Sequence, residues 1–272
     1  MSKTKVKGAN PMKNPWILPT EFPGDLIAID MHSHINHGSP YDASKRFGRT
    51  AELDELILVN RAAGIEKLFC CTFASCMNTD VIVEENEYMH SLLDQYDCLY
   101  QWVVIDPRIE ETFTQAERML QHKKCVGIKL HPYYHKYSLE EYADKLFSFA
   151  SRFKAVVLIH PEKEASYILP IADKYPDVTF IMAHLGGEPY VDAVEFAVHK
   201  NVYTDTSGIA SSTNLMVEAA YQRIGADRIL FGTDTYSAAF QRGRIEFALL
   251  PKEAKQKILR DNALRLFAKN LL

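Results

Sequence analysis

The sequence lacks the marks of a membrane protein and of a nucleic-acid-binding protein. None of its apolar runs approaches the ~18 residues of a membrane-spanning helix. Its 31 basic and 35 acidic residues are mixed along the chain, so the net charge of −4 creates no basic surface for nucleic acid or anionic lipid. The basic residues 1–8 are not followed by an apolar segment with a cleavage site. We therefore expect neither nucleic acid nor a membrane among its partners.

Cysteine is scarce, and its pattern argues against a disulfide framework. The five cysteines, an odd number, are Cys70, Cys71, Cys76, Cys98 and Cys125. Cys70 and Cys71 lie in an apolar segment and are expected to be reduced core residues. The spacing of Cys71 and Cys76 suits a metal ion, but the sequence offers no second cysteine pair to complete such a site. A reducing cytoplasm is the simplest setting for this chain, so we expect a cytoplasmic protein.

A glycine-rich turn, which a doubly wound nucleotide-binding sheet would usually carry, does not follow the first apolar run. Instead, short apolar runs alternate with longer segments of helical periodicity from residue 26 onward. The predicted strands are Leu26–Met31, Lys67–Thr72, Tyr100–Ile105, Gly127–Leu130, Ala155–Ile159, Thr179–Ala183, Val202–Thr204 and Arg228–Phe231. The predicted helices are Thr50–Ala63, Thr79–Gln95, Ile109–His122, Ser138–Arg152, Glu164–Lys174, Pro189–His199, Ser212–Ile224 and Pro251–Leu271.

The alternation of these segments predicts the fold. Strands that are apolar throughout, such as Ala155–Ile159, are typical of a parallel sheet that helices cover on both faces. Eight strand–helix units in roughly 250 residues predict a (β/α)8 TIM barrel, with a doubly wound open sheet as the alternative. We place this barrel, as one catalytic domain, at residues 26–272. The proline-rich residues before it predict a short N-terminal extension, residues 1–25.

Histidines concentrate at the carboxyl ends of the predicted strands, where the active site of such a barrel lies. The residues concerned are His32 and His34 after the first strand, Lys129 and His131 at the fourth, His160 after the fifth, His184 after the sixth and Asp234 after the eighth. His32 and His34 share one face because side chains alternate along a strand. Asp30, on the same face, is expected to orient one of their rings. Buried imidazoles crowded together need a partner, so this set predicts a divalent metal site, with Zn(II) as the first expectation.

At these positions the chain resembles the amidohydrolase superfamily. The segments that carry the resemblance are Ile-Asp-Met-His-Ser-His, Gly-Ile-Lys-Leu-His-Pro, Val-Leu-Ile-His-Pro, Ala-His-Leu-Gly-Gly, Phe-Gly-Thr-Asp-Thr and the late Ile-Leu-Arg-Asp-Asn-Ala. The chain is most similar to the amidohydrolase-related branch, which includes aminocarboxymuconate-semialdehyde decarboxylase, resorcylate-type decarboxylases and lactone hydrolases. This resemblance spans about residues 26–270.

The resemblance implies a role for most of the strand-end residues. His32, His34 and His160 match metal ligands. Asp234 matches the carboxylate that binds metal and handles the proton of the water molecule. His184 matches the histidine that assists chemistry in mononuclear members and binds a second ion in binuclear ones. One ion is favoured over two.

Two residues stay ambiguous at this point. Lys129 lies where some branches carry a carbamylated lysine between two ions, but an inward lysine paired with a carboxylate or with substrate is narrowly favoured. His131 suits an additional ligand, a substrate contact or a helix cap beside Pro132.

The reaction that we predict first is hydrolysis of an ester, lactone or amide-like bond by metal-activated water. Non-oxidative decarboxylation of a small carboxylated, aromatic-type substrate on the same site is the alternative. Aromatic and basic residues in the loops suit a small organic acid, and the substrate-binding candidates are His37, Arg46, Tyr133 and Tyr236. The family resemblance also suggests a homodimer or a larger homo-oligomer.

Overall fold

A computed structural model of the chain describes residues 26–37, 52–161, 165–209 and 213–271. The predicted N-terminal extension, residues 1–25, and the substrate candidate Arg46 lie outside these ranges, so both stay predictions. Eight parallel strands pair in sequential order in one sheet. They are β1 Ala28–Ile35, β2 Ile65–Thr72, β3 Leu99–Val104, β4 Cys125–Leu130, β5 Val156–Ile159, β6 Thr179–Met182, β7 Val202–Asp205 and β8 Ile229–Leu230. All eight predicted strands are confirmed to within a few residues.

Hydrogen bonds between the last strand and the first close the sheet into a barrel. The amide of Met31 donates to the carbonyl of Phe231 at 3.0 Å, and the amide of Thr233 donates to the carbonyl of His32 at 3.1 Å. Because an open sheet leaves its two edge strands unpaired, these bonds rule out the doubly wound alternative. The (β/α)8 barrel prediction is confirmed.

Helices lie between the strands around the outside of the barrel. They are α1 Leu53–Ala62, α2 Phe73–Met77, α3 Ile82–Leu92, α4 Glu110–Met119, α5 Pro132–His135, α6 Leu139–Arg152, α7 Ile168–Lys174, α8 Glu188–Phe196, α9 Met216–Ile224, α10 Ala238–Glu246, α11 Lys252–Gln256, α12 Asn262–Leu266 and α13 Ala268–Leu271. Short 3₁₀ turns, Thr79–Val81 and Ala165–Tyr167, precede α3 and α7. In the described ranges, no helix has the length and apolarity needed to cross a membrane.

Three helices were not predicted, and one predicted helix is interrupted. α2 and α5 are only five and four residues long, too short to show helical periodicity. α10 buries a charged residue, Arg242, whose guanidinium donates to the carbonyls of Gly64 and Leu26 at 2.7 and 2.6 Å, so its buried face is not purely apolar. The predicted helix Pro251–Leu271 contains a π-helical turn, Lys257–Asp261, and ends in two short helices.

Aromatic side chains fill the inside of the barrel. Phe267, which follows α12, is fully buried and contacts the rings of Phe69 and Trp102, with centroids 4.9 and 5.7 Å away. The indole of Trp102 donates a hydrogen bond to the carbonyl of Met31 at 2.8 Å. The C-terminal segment therefore contributes the aromatic ring of Phe267 to the packed interior of the barrel.

Replacing this ring should destabilise the whole barrel. We expect Phe267→Ala to lower the free energy of unfolding by about 3–5 kcal/mol, because it leaves a cavity among packed aromatic rings. The matched control is Phe247→Ala, since Phe247 is 84% exposed and its loss should cost within about 0.5 kcal/mol. Urea denaturation followed by circular dichroism measures both, and equal costs for the two variants would contradict this placement of Phe267.

Candidate metal centre

Three predicted ligands converge at the carboxyl ends of β1 and β8. The Oδ1 atom of Asp234 lies 3.1 Å from Nε2 of His34 and 3.6 Å from Nε2 of His32. Their donor atoms all lie within 4.8 Å of one another, and both imidazoles are buried. Ligands at about 2.0–2.2 Å from one ion are separated by roughly 3 Å or slightly more, so this arrangement fits a divalent cation.

The hydrogen bonds of His32 give its ring the tautomer that a metal ligand needs. Lys129 is fully buried, and its Nζ atom lies 2.9 Å from Nε2 of His32. Lys129 donates to this nitrogen, which therefore has the lone pair of the ring. The opposite nitrogen, Nδ1, therefore donates to Oδ2 of Asp205 at 2.9 Å. Burial and the nearby Lys129 lower the pKa of His32 to about 4, which keeps the ring neutral.

Asp205, at the end of β7, is a site residue that the sequence analysis missed. Besides His32, its carboxylate accepts hydrogen bonds from the amide and the hydroxyl of Ser207. Burial alone would raise its pKa, but His32 outweighs that effect and lowers the pKa of Asp205 to about 2. A carboxylate at a strand end, at the same edge as the histidines, was the signal that could have found it.

Asp30 does not have the role that was expected of it. Its carboxylate accepts from the amide and hydroxyl of Thr233 at 3.0 and 2.6 Å, and from the amide of His32 at 3.1 Å, rather than from an imidazole. The reason lies in the backbone, because the pairing of β1 with β2 shifts register between Asp30 and Ser33. Asp30 therefore joins the first strand to the last, and Asp205 orients the ring. Burial raises the pKa of Asp30 to about 7.

The other two predicted histidines lie beside this pair. The ring of His160 lies 5.8 Å from that of His32 and 4.5 Å from that of His184. Burial, reinforced by Lys129, lowers the pKa of His160 well below its usual value, so this imidazole is neutral and able to bind a cation.

His184 is held in place by the turn that follows β7. Nδ1 of His184 donates to the carbonyl of Ser207 at 2.9 Å, which leaves its Nε2 free to accept a proton or a cation. Gly208 has a φ of +64°, and a Cβ at this position would lie 2.8 Å from Nδ1 of His184. The close approach of backbone and ring therefore requires glycine here.

His34, unlike His32 and His160, favours its charged form. Burial opposes a charge on this ring, but Cys76 and Asp234 outweigh burial and raise the pKa of His34 to about 9. Conversely, the hydrogen bond from His34 keeps the pKa of Asp234 well below its usual value although burial would raise it. Asp234 is therefore ionised, and a cation that binds here replaces the proton on Nε2 of His34.

A cavity of about 180 Å³ opens beside these groups. Its lining residues are His34, Phe73, Cys76, Met77, His131, Tyr134, His160, His184, Asp234 and Tyr236. Of the predicted substrate contacts, Tyr236 lines the cavity. Tyr133 does not line it and is 67% exposed, and the next residue along the chain, Tyr134, lines the cavity instead. His37 lies elsewhere, with Nδ1 2.9 Å from Oε1 of Glu85 and its ring stacked on Tyr88.

The two ambiguous residues take distinct positions. His131 stacks on His160 at 4.0 Å, and its Nδ1 accepts the amide hydrogen of Tyr134 at 3.4 Å, which caps α5. In the part of the chain that the structure describes, Lys129 forms no ion pair with a carboxylate, and its partner is His32. A single ion and an unmodified Lys129 stay predictions, with a second ion and a carbamylated Lys129 as the alternatives.

The comparison with protein families decides the membership of the chain. Residues 29–269 match the family model described as Amidohydrolase. The chain belongs to the amidohydrolase family. No curated protein sequence matches this amidohydrolase.

Similar solved structures share the fold of this amidohydrolase. A 2,6-dihydroxybenzoate decarboxylase from Rhizobium is 16% identical, with a TM-score of 0.71 over 89% of this chain and 98% of its own. A dihydroxybenzoic acid decarboxylase from a Polaromonas species, with bound manganese and the inhibitor 2-nitroresorcinol, is 17% identical, with a TM-score of 0.72 over 90% and 98%. A 5-carboxyvanillate decarboxylase from Novosphingobium aromaticivorans, with manganese and 4-hydroxy-3-methoxy-5-nitrobenzoic acid, is 15% identical, with a TM-score of 0.71 over 90% and 96%.

The role of Asp205 can be tested through metal affinity. We expect Asp205→Asn to weaken the binding of Mn(II) or Zn(II) by about 10–100-fold, because the amide no longer supports the Nδ1–H tautomer and the basicity of His32. Asp227→Asn is the control, since Asp227 is largely exposed and pairs with Lys257 before β8 begins, at the opposite end of the barrel. Titration calorimetry measures both variants, and an affinity equal to that of the control would contradict this role.

Proposed function

We propose that this amidohydrolase is a metal-dependent, non-oxidative decarboxylase of a small carboxylated aromatic substrate. The observation that carries the proposal is the cavity in which aromatic and thioether side chains face the candidate ligands His34, His160 and Asp234. The comparison supports it, because the dihydroxybenzoate and carboxyvanillate decarboxylases have the same fold.

The ligands that we assign to the cation are His32, His34, His160 and Asp234. When bound, a divalent ion would supply Lewis acidity and offset the negative charge of the carboxylate and hydroxyl oxygens of the substrate. Imidazole and carboxylate donors suit both Zn(II), our first expectation, and the manganese bound in two of the compared decarboxylases.

The cavity walls would orient a flat ring. Phe73 stacks on His34 with ring centroids 4.6 Å apart, and Met77 lies beside it in the lining. Tyr134 and Tyr236, 44% and 42% exposed, lie where the cavity opens to solvent. Rings and a thioether bind an aromatic substrate by dispersion and stacking and exclude water from it. The polar end of the substrate then faces the imidazoles and Asp234.

Asp234 is the group that we assign to proton transfer. Because its carboxylate is ionised, it accepts the proton of a substrate hydroxyl next to the carboxylate that will be lost. As the bond between the ring carbon and the carboxylate breaks, the electron pair stays on the ring carbon, which takes the proton from Asp234 while carbon dioxide leaves. His184, with Nε2 free, is the second group in reach of the cavity that can carry a proton.

Hydrolysis of an ester, lactone or amide-like bond stays our second candidate. The match to the Amidohydrolase family model supports it, and the ionised Asp234 is equally suited to accept a proton from water. A homodimer or larger assembly likewise stays a prediction.

Product analysis separates the two reactions. We expect the full-length chain, loaded with Mn(II) or Zn(II), to release carbon dioxide from at least one carboxylated phenol, with 2,6-dihydroxybenzoate and 5-carboxyvanillate as first probes. Asp234→Asn should lower kcat by about 100-fold or more, because it removes the proton carrier, and Asp227→Asn should leave it unchanged. Carbon dioxide is measured in a coupled assay, and the phenol product by chromatography.

The opposite pattern would replace the first candidate by the second. Proton release from lactones or esters, abolished by a chelator and by Asp234→Asn, without carbon dioxide from any aromatic acid, would establish hydrolysis instead. Full activity after chelation would contradict both metal-dependent reactions.

A further inference from the structure

Two cysteines that the proposed reaction does not use lie against the candidate metal centre. The Sγ atoms of Cys71 and Cys76 are 3.3 Å apart, and Sγ of Cys71 is 3.4 Å from Nδ1 of His34. These donor atoms lie within 4.8 Å of one another, and all three side chains are buried. In the sequence, Cys71 and Cys76 had no further cysteines to complete a metal site. In the structure, His34 on the neighbouring strand supplies a third donor atom.

The backbone holds these donors on rigid elements. His34 and Cys71 are direct partners in the parallel pairing of β1 and β2. The hydroxyl of Thr72 accepts the amide hydrogen of Ser75 at 3.2 Å and so caps α2. This helical turn carries Cys76 back over Cys71. The cluster therefore results from sheet register and a capped turn rather than from a chance meeting of flexible side chains.

The separations fit a bound cation better than a disulfide. With metal–sulfur bonds of about 2.3 Å and metal–nitrogen bonds of about 2.0–2.1 Å, tetrahedral ligands lie roughly 3.5–3.8 Å apart. The observed 3.3 and 3.4 Å are shorter by only a few tenths of an ångström. A disulfide, in contrast, would require the sulfur atoms to approach to about 2.05 Å. Cys76 also lines the cavity, which gives a cation a route to the cluster.

We propose that Cys71, Cys76 and Nδ1 of His34 form a second cation site, specific for thiophilic divalent ions such as Cd(II) and Zn(II). Two thiolates and an imidazole select such ions over Mn(II) and Mg(II). Three protein ligands leave a fourth position for water or for a ligand from the cavity. The site does not depend on the reaction proposed above, but it shares His34 with the candidate metal centre. A neutral imidazole that binds a cation through Nδ1 keeps its proton on Nε2, which lies 3.1 Å from Oδ1 of Asp234.

Cadmium binding tests the site directly. We expect one Cd(II) per reduced, full-length chain to produce the ultraviolet charge-transfer absorption of cadmium–thiolate bonds. Cys71→Ser and Cys76→Ser should each weaken this binding by at least about tenfold, since even an outer-sphere partner contributes that much. Cys98→Ser is the matched control and should bind as the unchanged chain does, because Cys98 lies outside the cluster. Binding that is unaffected by both cluster variants would overturn the proposal.

A second measurement needs no variant, so it holds even where a serine variant fails to fold. Alkylation of the unchanged chain is continued until Cys71 and Cys76 of the cation-free sample are modified. Mass spectrometry should then find both cysteines protected by Cd(II) and Cys98 equally modified with and without it. Cluster cysteines that Cd(II) does not protect would contradict the assignment.

The nitrogen donor is tested with two histidine variants. His34→Ala should weaken Cd(II) binding at least about tenfold, and His131→Ala should not. Equal effects of the two variants would contradict the role of His34.

Discussion

The candidate centre depends on the hydrogen bond between Nδ1 of His32 and the carboxylate of Asp205. This bond determines that the lone pair of the ring lies on Nε2 of His32. Lys129 donates a hydrogen bond to Nε2 from the other side of the ring. The amide of Ser207 donates to Asp205, and the carbonyl of Ser207 orients His184. The end of β7, which supplies no predicted ligand, therefore determines how two of the histidines face the cation position.

The sequence was sufficient for the barrel and for the convergence of His32, His34 and Asp234 at one edge of it. Buried parallel strands are apolar throughout, and their carboxyl ends must meet, so the histidines after separate strands could be placed together before any coordinates were known. Asp234 lies about 200 residues after His32 and His34, so no local motif connects the three residues. The alternation of strands and helices predicts that the first and last strands are neighbours, and this order places the three residues together.

Features that depend on local geometry were out of reach of the sequence. The register shift after Asp30 changes which side chains of β1 face the barrel, and no residue pattern indicated it. Likewise, the capped turn at His131 turns Tyr134 rather than Tyr133 toward the cavity, a choice made by backbone torsions of a four-residue helix. Asp205, in contrast, was within reach of the sequence, because it ends a strand at the same edge as the histidines.

The ligands that we assign to the centre lie on the first strand of the barrel or follow its fifth and last strands. His32 lies on the first strand and Asp234 follows the last, and the carboxylate of Asp30 joins the two through Thr233. During synthesis of the chain, His32 and His34 are therefore present long before Asp234 is added. The assigned ligand set is complete only when the last strand has joined the first, so a chain that stops before Asp234 would lack its carboxylate.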